Sequence, residues 1–508
     1  MLVKIAFIFR VARKSTGRAV SNTKINLMKL KAVSKKLNYH STKVYLVLFV
    51  LIFIFQLVKV LIFNDFNLYQ IKADGKAYIG LSENLFSKGV YEFNGSYTSR
   101  MPGITILYLP IRYFFLQHIT LQFLSVFMLL FYSFSVIYFS KQLCAFFNKG
   151  IVFFILLVSI LGLTDYITYW GFPFYTESLA CSCLLIGFAF LLKAEKKRKN
   201  VYYFLSGAFI CWLIFLRPFM IVIWILMALY IVYKFRNEIR SRLMLSLFLF
   251  TSMFIIVDSI WIIRNYSIEN KFTPLQAYPD FSNHLLSYRE FLKSFGGDAV
   301  EWNPNSEGLW FQNQKHLKDG GFERPSDDIF PERIFNKSFT LDSLKNLRQI
   351  YWDANNDSLI LNERQFKSDL FIEKVKDFID NYKKESPFDF YIGSRLTLLR
   401  KFIFQPFTYY LNMRNDSPVQ FLIKGLIYII NAFVIIIGFF SLILFTTNSL
   451  IKRKFKAKDG LLIMVPLFLI ALFPVYYGFV EYRFLVLGFP FLAYFSILLL
   501  RELSRQKN

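Results

Sequence analysis

Long apolar runs separated by short basic turns set the fold class before any single residue does. A helix needs about 20 apolar residues to cross a bilayer. Ten stretches meet or approach that length: 44–63, 120–140, 150–168, 175–193, 201–216, 218–233, 243–263, 421–446, 460–479 and 484–500. Runs 201–216 and 218–233 are short and are divided by Arg217-Pro218, which predicts a tight helical hairpin. The expected fold is an all-α polytopic membrane protein of about ten transmembrane helices. Between the seventh and eighth runs lies a polar segment, 264–420, long enough for a core of its own. Its apolar positions recur at helical spacing, as at Leu344, Leu347, Ile350 and Tyr351, and at Phe371, Val375, Phe378 and Ile379. Gly296-Gly297, Asn303-Pro304 and Gly320-Gly321 mark turns. A mostly helical, irregular domain outside the membrane is expected there. Stretch 104–116 is apolar but short and broken by Pro110, and with 396–412 it reads as a helix lying at the interface.

The chain thus divides into a basic segment 1–43, a membrane block 44–263 with spans 1–7, the domain 264–420, and a block 421–508 with spans 8–10 and a tail. Within the first block, 64–117 is a long outer loop. No internal repeat is visible.

Composition removes the soluble classes: 55% of residues are hydrophobic and the mean hydropathy is +0.41. The net charge of +26 is unevenly spread. Residues 1–43 hold eleven Lys/Arg and no acid, and further basic clusters fill 194–200, 234–242, 452–458 and the tail. With ten spans these segments share one side, which the positive-inside rule makes cytoplasmic, so both termini are expected there. Segment 264–420 has 21 basic and 22 acidic residues, leaving 39 and 12 for the remainder, and is expected outside. The excess charge is read as orientation and contact with anionic lipid, with no nucleic-acid partner. Cys144, Cys181, Cys183 and Cys211 show neither CxxC spacing nor a nearby His pair, so neither a disulfide framework nor a zinc site is indicated. No cleavable signal is evident, so span 1 is expected to serve as an uncleaved anchor, with Met28 an alternative start.

The candidate chemistry lies at the outer ends of the spans. Loop 64–117 carries Asp74-Gly-Lys-Ala-Tyr78, then Leu85, Gly89 and Tyr91, then Arg100-Met-Pro102-Gly103. A carboxylate at bilayer depth is costly unless it faces water or a partner. Asp74 is placed in a patterned stretch, not at a plain helix end, which favours a functional role. Asp65, Lys76 and Glu83 share the loop, and Asp165, Glu177, Arg217, Asp258, Arg264, Glu481 and Arg483 fall at the same side. Carboxylates can take a proton from an attacking hydroxyl. Guanidinium forks suit phosphate. A lipid-phosphate donor and a hydroxyl acceptor together use both. Each residue also has a structural reading: an outer Arg can anchor at the interface or cap a helix, Glu177 can complement a helix dipole, Asp258 can pair with Arg264, and Asp65 can mark a boundary. His118, His284 and His316 lack ligand spacing.

These stretches resemble the GT-C superfamily of membrane glycosyltransferases, and most nearly its bacterial protein O-mannosyltransferase and aminoarabinose-transferase branch. Loop 1 resembles the family's acid followed by Tyr and later Arg-x-Pro-Gly. Thr176-Glu177 is similar to its Thr/Ser-Glu at the start of span 4, and Leu216-Arg217-Pro218 to its Leu-Thr-Arg-Pro hairpin tip. Trp261-Ile-Ile-Arg264-Asn265-Tyr266 resembles the motif closing its span 7, and Glu481-Tyr482-Arg483-Phe484 before Pro490 its late Glu-x-Arg-Tyr. The likeness covers the membrane block, and residues 270–400 match nothing transferable.

The resemblance implies inverting transfer of a sugar from a polyprenyl-phosphate donor to an acceptor hydroxyl on a lipid, glycan or protein, at the outer face of the cytoplasmic membrane. Asp74 is implied as general base, with Glu177 positioning hydroxyls. Tyr78, Arg100, Arg217, Arg264, Glu481 and Arg483 are expected to bind substrate. Some relatives carry an Asp-Asp or Asp-Glu pair where this chain has Asp74-Gly75. No metal or other cofactor is expected, although a divalent metal stays open because family members differ in using one. Competing readings are a transporter or flippase for lipid-linked sugars, a ligase or polymerase of lipid-linked glycans, and a non-enzymatic scaffold. A transporter predicts mid-membrane charges and a repeat, whereas the charges here cluster at span ends.

Overall fold

The computed structural model describes residues 42–505 except 73, 99, 277–282, 304, 337–338, 357, 405–416 and 454–455. Nearly all of the expected basic segment 1–43, the tail beyond 505 and residues 405–412 of the expected interfacial helix lie outside the described residues.

The described residues are helical, and none forms a strand; Phe93 and Ser96 make an isolated bridge. α1 (Thr42–Phe63) crosses first and is only 17% buried in its apolar window, so Leu46, Leu51, Ile54 and Val58 are left to face lipid. Loop 1 then folds into α2 (Asp74–Lys88) and α3 (Thr105–Phe114). α3 contains Pro110 and leaves Ile106, Tyr113 and Phe114 exposed, as an interfacial helix requires. α4 (Gln117–Phe146), α5 (Ile151–Leu163), α6 (Glu177–Lys197), α7 (Val201–Leu216), α8 (Ile221–Phe235) and α9 (Arg240–Glu269) complete the first block. A 3-10 turn, Pro218–Met220, joins α7 to α8 as the expected hairpin tip.

α6 is the centre of the bundle, with 89% of its apolar window buried. It packs against α4 and α7. Ser178, Ala180, Cys181, Ser182, Cys183, Gly187 and Ala189 all lie buried along it, and small residues let neighbouring backbones approach closely. All four cysteines are buried free thiols.

Among the described residues seven helices are long and apolar enough to cross a membrane, and the chain is a multi-pass membrane protein. The other three expected spans are shorter helices: α5 with 13 residues, α7 with 16, and a last helix of 17. The expected span 150–168 ends early, at Leu163. Residues 164–176 that follow are irregular yet buried, apart from a 3-10 turn at Thr168–Gly171. They are stable there because the protein supplies their partners, the condition for non-helical backbone at membrane depth. Span 7 runs past its expected end at 263, to Glu269.

The outer domain contains α10 (Asn283–Phe295), the short α11 (Glu307–Trp310) and α12 (Gln314–Gly320), then α13 (Leu341–Ala354) and α14 (Leu361–Glu385). The periodic positions Leu344, Leu347, Ile350 and Tyr351 of α13 and Phe371, Val375 and Phe378 of α14 meet Phe291, Phe295 and Phe311 in one core, with Ile379 packed at its edge. A Thr340–Ser343 capping box starts α13. α15 (Ser394–Phe404) returns to the bundle. α16 (Pro418–Ala432) and α17 (Gly438–Ile451) form one span through a π-turn, Phe433–Ile437. α18 (Ala457–Ile470) continues into a π-turn, Ala471–Tyr477. α19 (Phe489–Arg505) is the last helix, starting five residues later than the expected run.

Candidate active site

Five separate stretches deliver charged side chains to one end of the bundle: the start of α2, the turn before α3, the start of α6, the end of α7 and the turn before α19. α6 starts and α7 ends at this end. The basic turn 196–199 is at the other end of α6, about 30 Å away at 1.5 Å per residue.

Asp74 is the first residue of α2, which corrects the expectation that it lies away from a helix end. The position is electrostatically favourable, since a helix N-terminus favours a carboxylate. Gly75 follows because nothing larger fits: a Cβ there would lie 1.9 Å from the Pro173 carbonyl oxygen. Gly75 is thus set by close contact with segment 164–176. Arg100 arrives through the Pro102-Gly103 turn. A Cβ on Gly103 would lie 2.5 Å from Phe215 O, and Trp212 Nε1 donates to Gly103 O at 2.8 Å. The turn is therefore clamped against the end of α7, two residues before Arg217.

One guanidinium meets each oxygen of Asp74. Arg100 Nη2 lies 3.1 Å from Oδ1 and Arg483 Nη1 lies 3.0 Å from Oδ2. Arg483 Nε also reaches Glu481 Oε1 at 2.7 Å and lies 3.9 Å from Glu177 Oε1. Arg217 pairs directly with Glu177. Tyr78 lies beneath Arg100, with the guanidinium carbon 5.4 Å from its ring centre. Asp74, Glu177, Tyr78, Arg100, Arg217, Glu481 and Arg483 therefore form one cluster of three carboxylates and three arginines.

Burial separates their roles. The Asp74 and Arg100 side chains are each 33% exposed, whereas that of Glu177 is 3% exposed. Asp74 can meet a ligand from water. Glu177, expected to position hydroxyls, is covered by Arg217 and Arg483 and instead fixes their orientation. Burial pushes the Asp74 carboxyl upward, but Arg483 and Arg100 outweigh it and hold it below the usual carboxylate range. Glu481 goes the other way: its burial outweighs Arg483 and raises it above that range.

Arg264 does not join the cluster. Its Nη1 donates to Tyr97 O at 2.7 Å and to Asn265 Oδ1 at 2.8 Å, and its Nη2 donates to Tyr91 O at 2.9 Å. It fastens the middle of loop 1 to α9, because unsatisfied carbonyls of an irregular loop are strong acceptors for a fork of donors. Asp258 does not pair with Arg264 either, and accepts from Leu275 N at 3.1 Å. Glu83 is bound by Arg112 at 2.9 Å and ties α2 to α3. Asp65 is exposed on a left-handed turn after α1, with φ 48°.

Asp165 forms a buried ion pair with Lys59, at 2.7 Å. Lys59 Nζ also donates to Thr168 Oγ1 at 2.8 Å, and Gln56 Nε2 donates to the Gly162 and Thr164 carbonyls at 2.7 and 2.9 Å. This network satisfies the irregular backbone that leads into Glu177. Lys59 was hidden within the first apolar run.

Two aromatic neighbours were not foreseen. Trp302, from the outer domain, donates Nε1 to Glu481 Oε1 at 3.2 Å, and the Arg483 guanidinium lies 5.6 Å from its ring centre. Tyr175 lies 5.5 Å from the same guanidinium. A turn signal was legible beside Trp302, but nothing local reveals that Trp302 packs against Glu481 and Arg483. Among the described residues, no group of three or more His, Cys, Asp or Glu side chains is arranged to hold a metal ion.

No protein-family model matches the chain, and no curated protein matches it.

Proposed function

We propose that this protein is a membrane glycosyltransferase of the GT-C type, with ten spans, that moves a sugar from a polyprenyl-phosphate donor to an acceptor hydroxyl with inversion. The observation that carries this reading is Asp74 held between Arg100 and Arg483, at the mouth of a cluster that Arg217 and Glu177 complete. The reading places the cluster at the outer face of the cytoplasmic membrane, with both termini inside, because the basic turns gather at the opposite end.

The cluster balances three carboxylates with three guanidiniums, so it is neutral when all six are ionised. A donor phosphodiester brings one negative charge and competes with Asp74 for Arg100 and Arg483. Once those cations turn to the phosphate, the force depressing the Asp74 carboxyl weakens and its basicity rises. Asp74 then takes the proton from the acceptor hydroxyl. The acceptor oxygen attacks the anomeric carbon, and the bond from that carbon to the phosphate oxygen breaks. The electron pair leaves with the polyprenyl phosphate, whose added charge the arginines stabilise. Glu177 and Glu481 hold Arg217 and Arg483 in place throughout.

The test uses membranes containing the wild-type chain or Arg483→Ala, supplied with polyprenyl-phosphate donor labelled in the sugar. Wild type is expected to release polyprenyl phosphate and transfer label, and Arg483→Ala to do neither at comparable protein levels. Equal transfer by the two sinks the assignment.

A further inference from the structure

Away from the Asp74 cluster, where α15 meets the outer domain, lies a cavity of about 390 Å³. Arg333, Arg400 and Lys401 line it, together with Glu307, Asp328, Phe330 and Leu396. Lys401 is matched, since its Nζ lies 2.6 Å from Glu307 Oε1. Arg333 is anchored by donating to Phe295 O at 2.8 Å, which aims its guanidinium at the cavity without neutralising it. Arg400 is exposed and makes no hydrogen bond or ion pair among the described residues. Two guanidiniums thus face a concave, partly apolar space against the single unpaired carboxylate of Asp328. A planar fork of donors is suited to carboxylate or phosphate, and mixed apolar and polar walls suit an organic ligand carrying that group.

The cavity is joined to the active site by one segment. Glu307 Oε2 accepts from Asp298 N at 2.8 Å, and Asp298 Oδ1 accepts from Val480 N at 3.1 Å. Between them Trp302 reaches Glu481. Glu307 therefore lines the cavity, while its partner Asp298, with Trp302, touches residues 480 and 481 beside Arg483. α15 in turn packs on the π-turn Ala471–Tyr477, directly before that site.

We infer that this cavity binds the anionic part of the acceptor, a saccharide carrying a carboxylate or phosphate. The inference rests on the transferase reading for the word acceptor, but binding is measured without transfer. The shared chemistry is an anionic group on a saccharide or on a lipid head group, and the two sources are separated as follows.

Full-length protein in phosphatidylcholine nanodiscs is titrated calorimetrically with glucose 1-phosphate, glucuronate and glucose. In parallel, retention of phosphatidylglycerol through purification is read by native mass spectrometry. The variants are Arg400→Glu and Arg333→Gln, each checked for an unchanged melting temperature. Arg400→Glu is expected to weaken the anionic probe by roughly tenfold, the size of a lost charge-assisted contact. Glucose is expected not to bind. Loss confined to the soluble anions supports a water-borne saccharide, and loss confined to phosphatidylglycerol supports a lipid-borne one. If Arg400→Glu and Arg333→Gln bind every probe as wild type does, or wild type binds none, the inference is overturned. Anion binding by wild type that Arg400→Glu and Arg333→Gln weaken, with no transfer by wild type, separates failure of the transferase reading from failure of this one.

Discussion

Replacing Asp74 by Asn removes a charge and keeps the shape, and it separates three possible roles of that carboxylate. Its two contacts, at 3.1 and 3.0 Å, are with guanidiniums, but Asp74 and Arg100 are each one-third exposed. Gross attraction at such distances is screened by solvent, and exposed pairs contribute about 0–1 kcal/mol each. The melting temperature is therefore expected to change little. Loss of a general base costs about 10²- to 10⁴-fold in rate, equivalent to about 3–5 kcal/mol of barrier. Donor binding should move the opposite way or not at all, since Arg100 and Arg483 lose the carboxylate that competes with the phosphate. The assay pairs single-turnover transfer from a labelled polyprenyl-phosphate sugar with equilibrium binding of the same donor. A rate within tenfold of wild type refutes the base assignment. A low rate accompanied by lost donor binding refutes it too, because it marks a structural role.

Other residues give equally direct tests. Gly75→Ala is expected to destabilise the fold by about 1–3 kcal/mol and to lower transfer, because its Cβ would strike the Pro173 carbonyl; a melting curve superimposable on wild type contradicts the close contact. Glu481 is raised above the usual range by burial. Its protonation as pH falls from neutral removes a negative charge beside Arg483, so donor affinity should rise on acidification, and Glu481→Gln should flatten that dependence; an equally steep dependence in the variant rejects the linkage. Asp298 is pushed up from the ordinary 3.8 to about 7 by burial and nearby Glu307, against Lys401. The folded chain then holds a proton the unfolded chain releases, so stability falls as pH rises from about 3.8 to about 7 and stays at the lower level above; Asp298→Asn should weaken this dependence in denaturation measured across that range. Lys59→Met strands the buried Asp165 and is expected to cost about 3–5 kcal/mol, while Lys59→Met with Asp165→Leu should recover much of it; a double-mutant cycle in thermal unfolding with no coupling argues against the buried pair.

The amino-acid sequence by itself determined the helical, membrane-crossing class, because apolar length is a local property that a bilayer reads directly. It also determined the helical faces of the outer domain, since Leu344, Leu347 and Ile350 or Phe371, Val375 and Phe378 carry their own period. Seven of the eight residues named from the sequence meet in one cluster, and six of them are charges conspicuous against an apolar background. What only the tertiary structure decided is which charge meets which. Arg264 looked equivalent to Arg217 and Arg483 along the chain, yet free carbonyls of loop 1 claim it. Lys59 looked like a blemish in an apolar run, yet it finds Asp165 more than a hundred residues away. Trp302 and the cavity beside Arg400 arise from long-range folding of the outer domain onto the bundle, and no local spacing encodes such a contact.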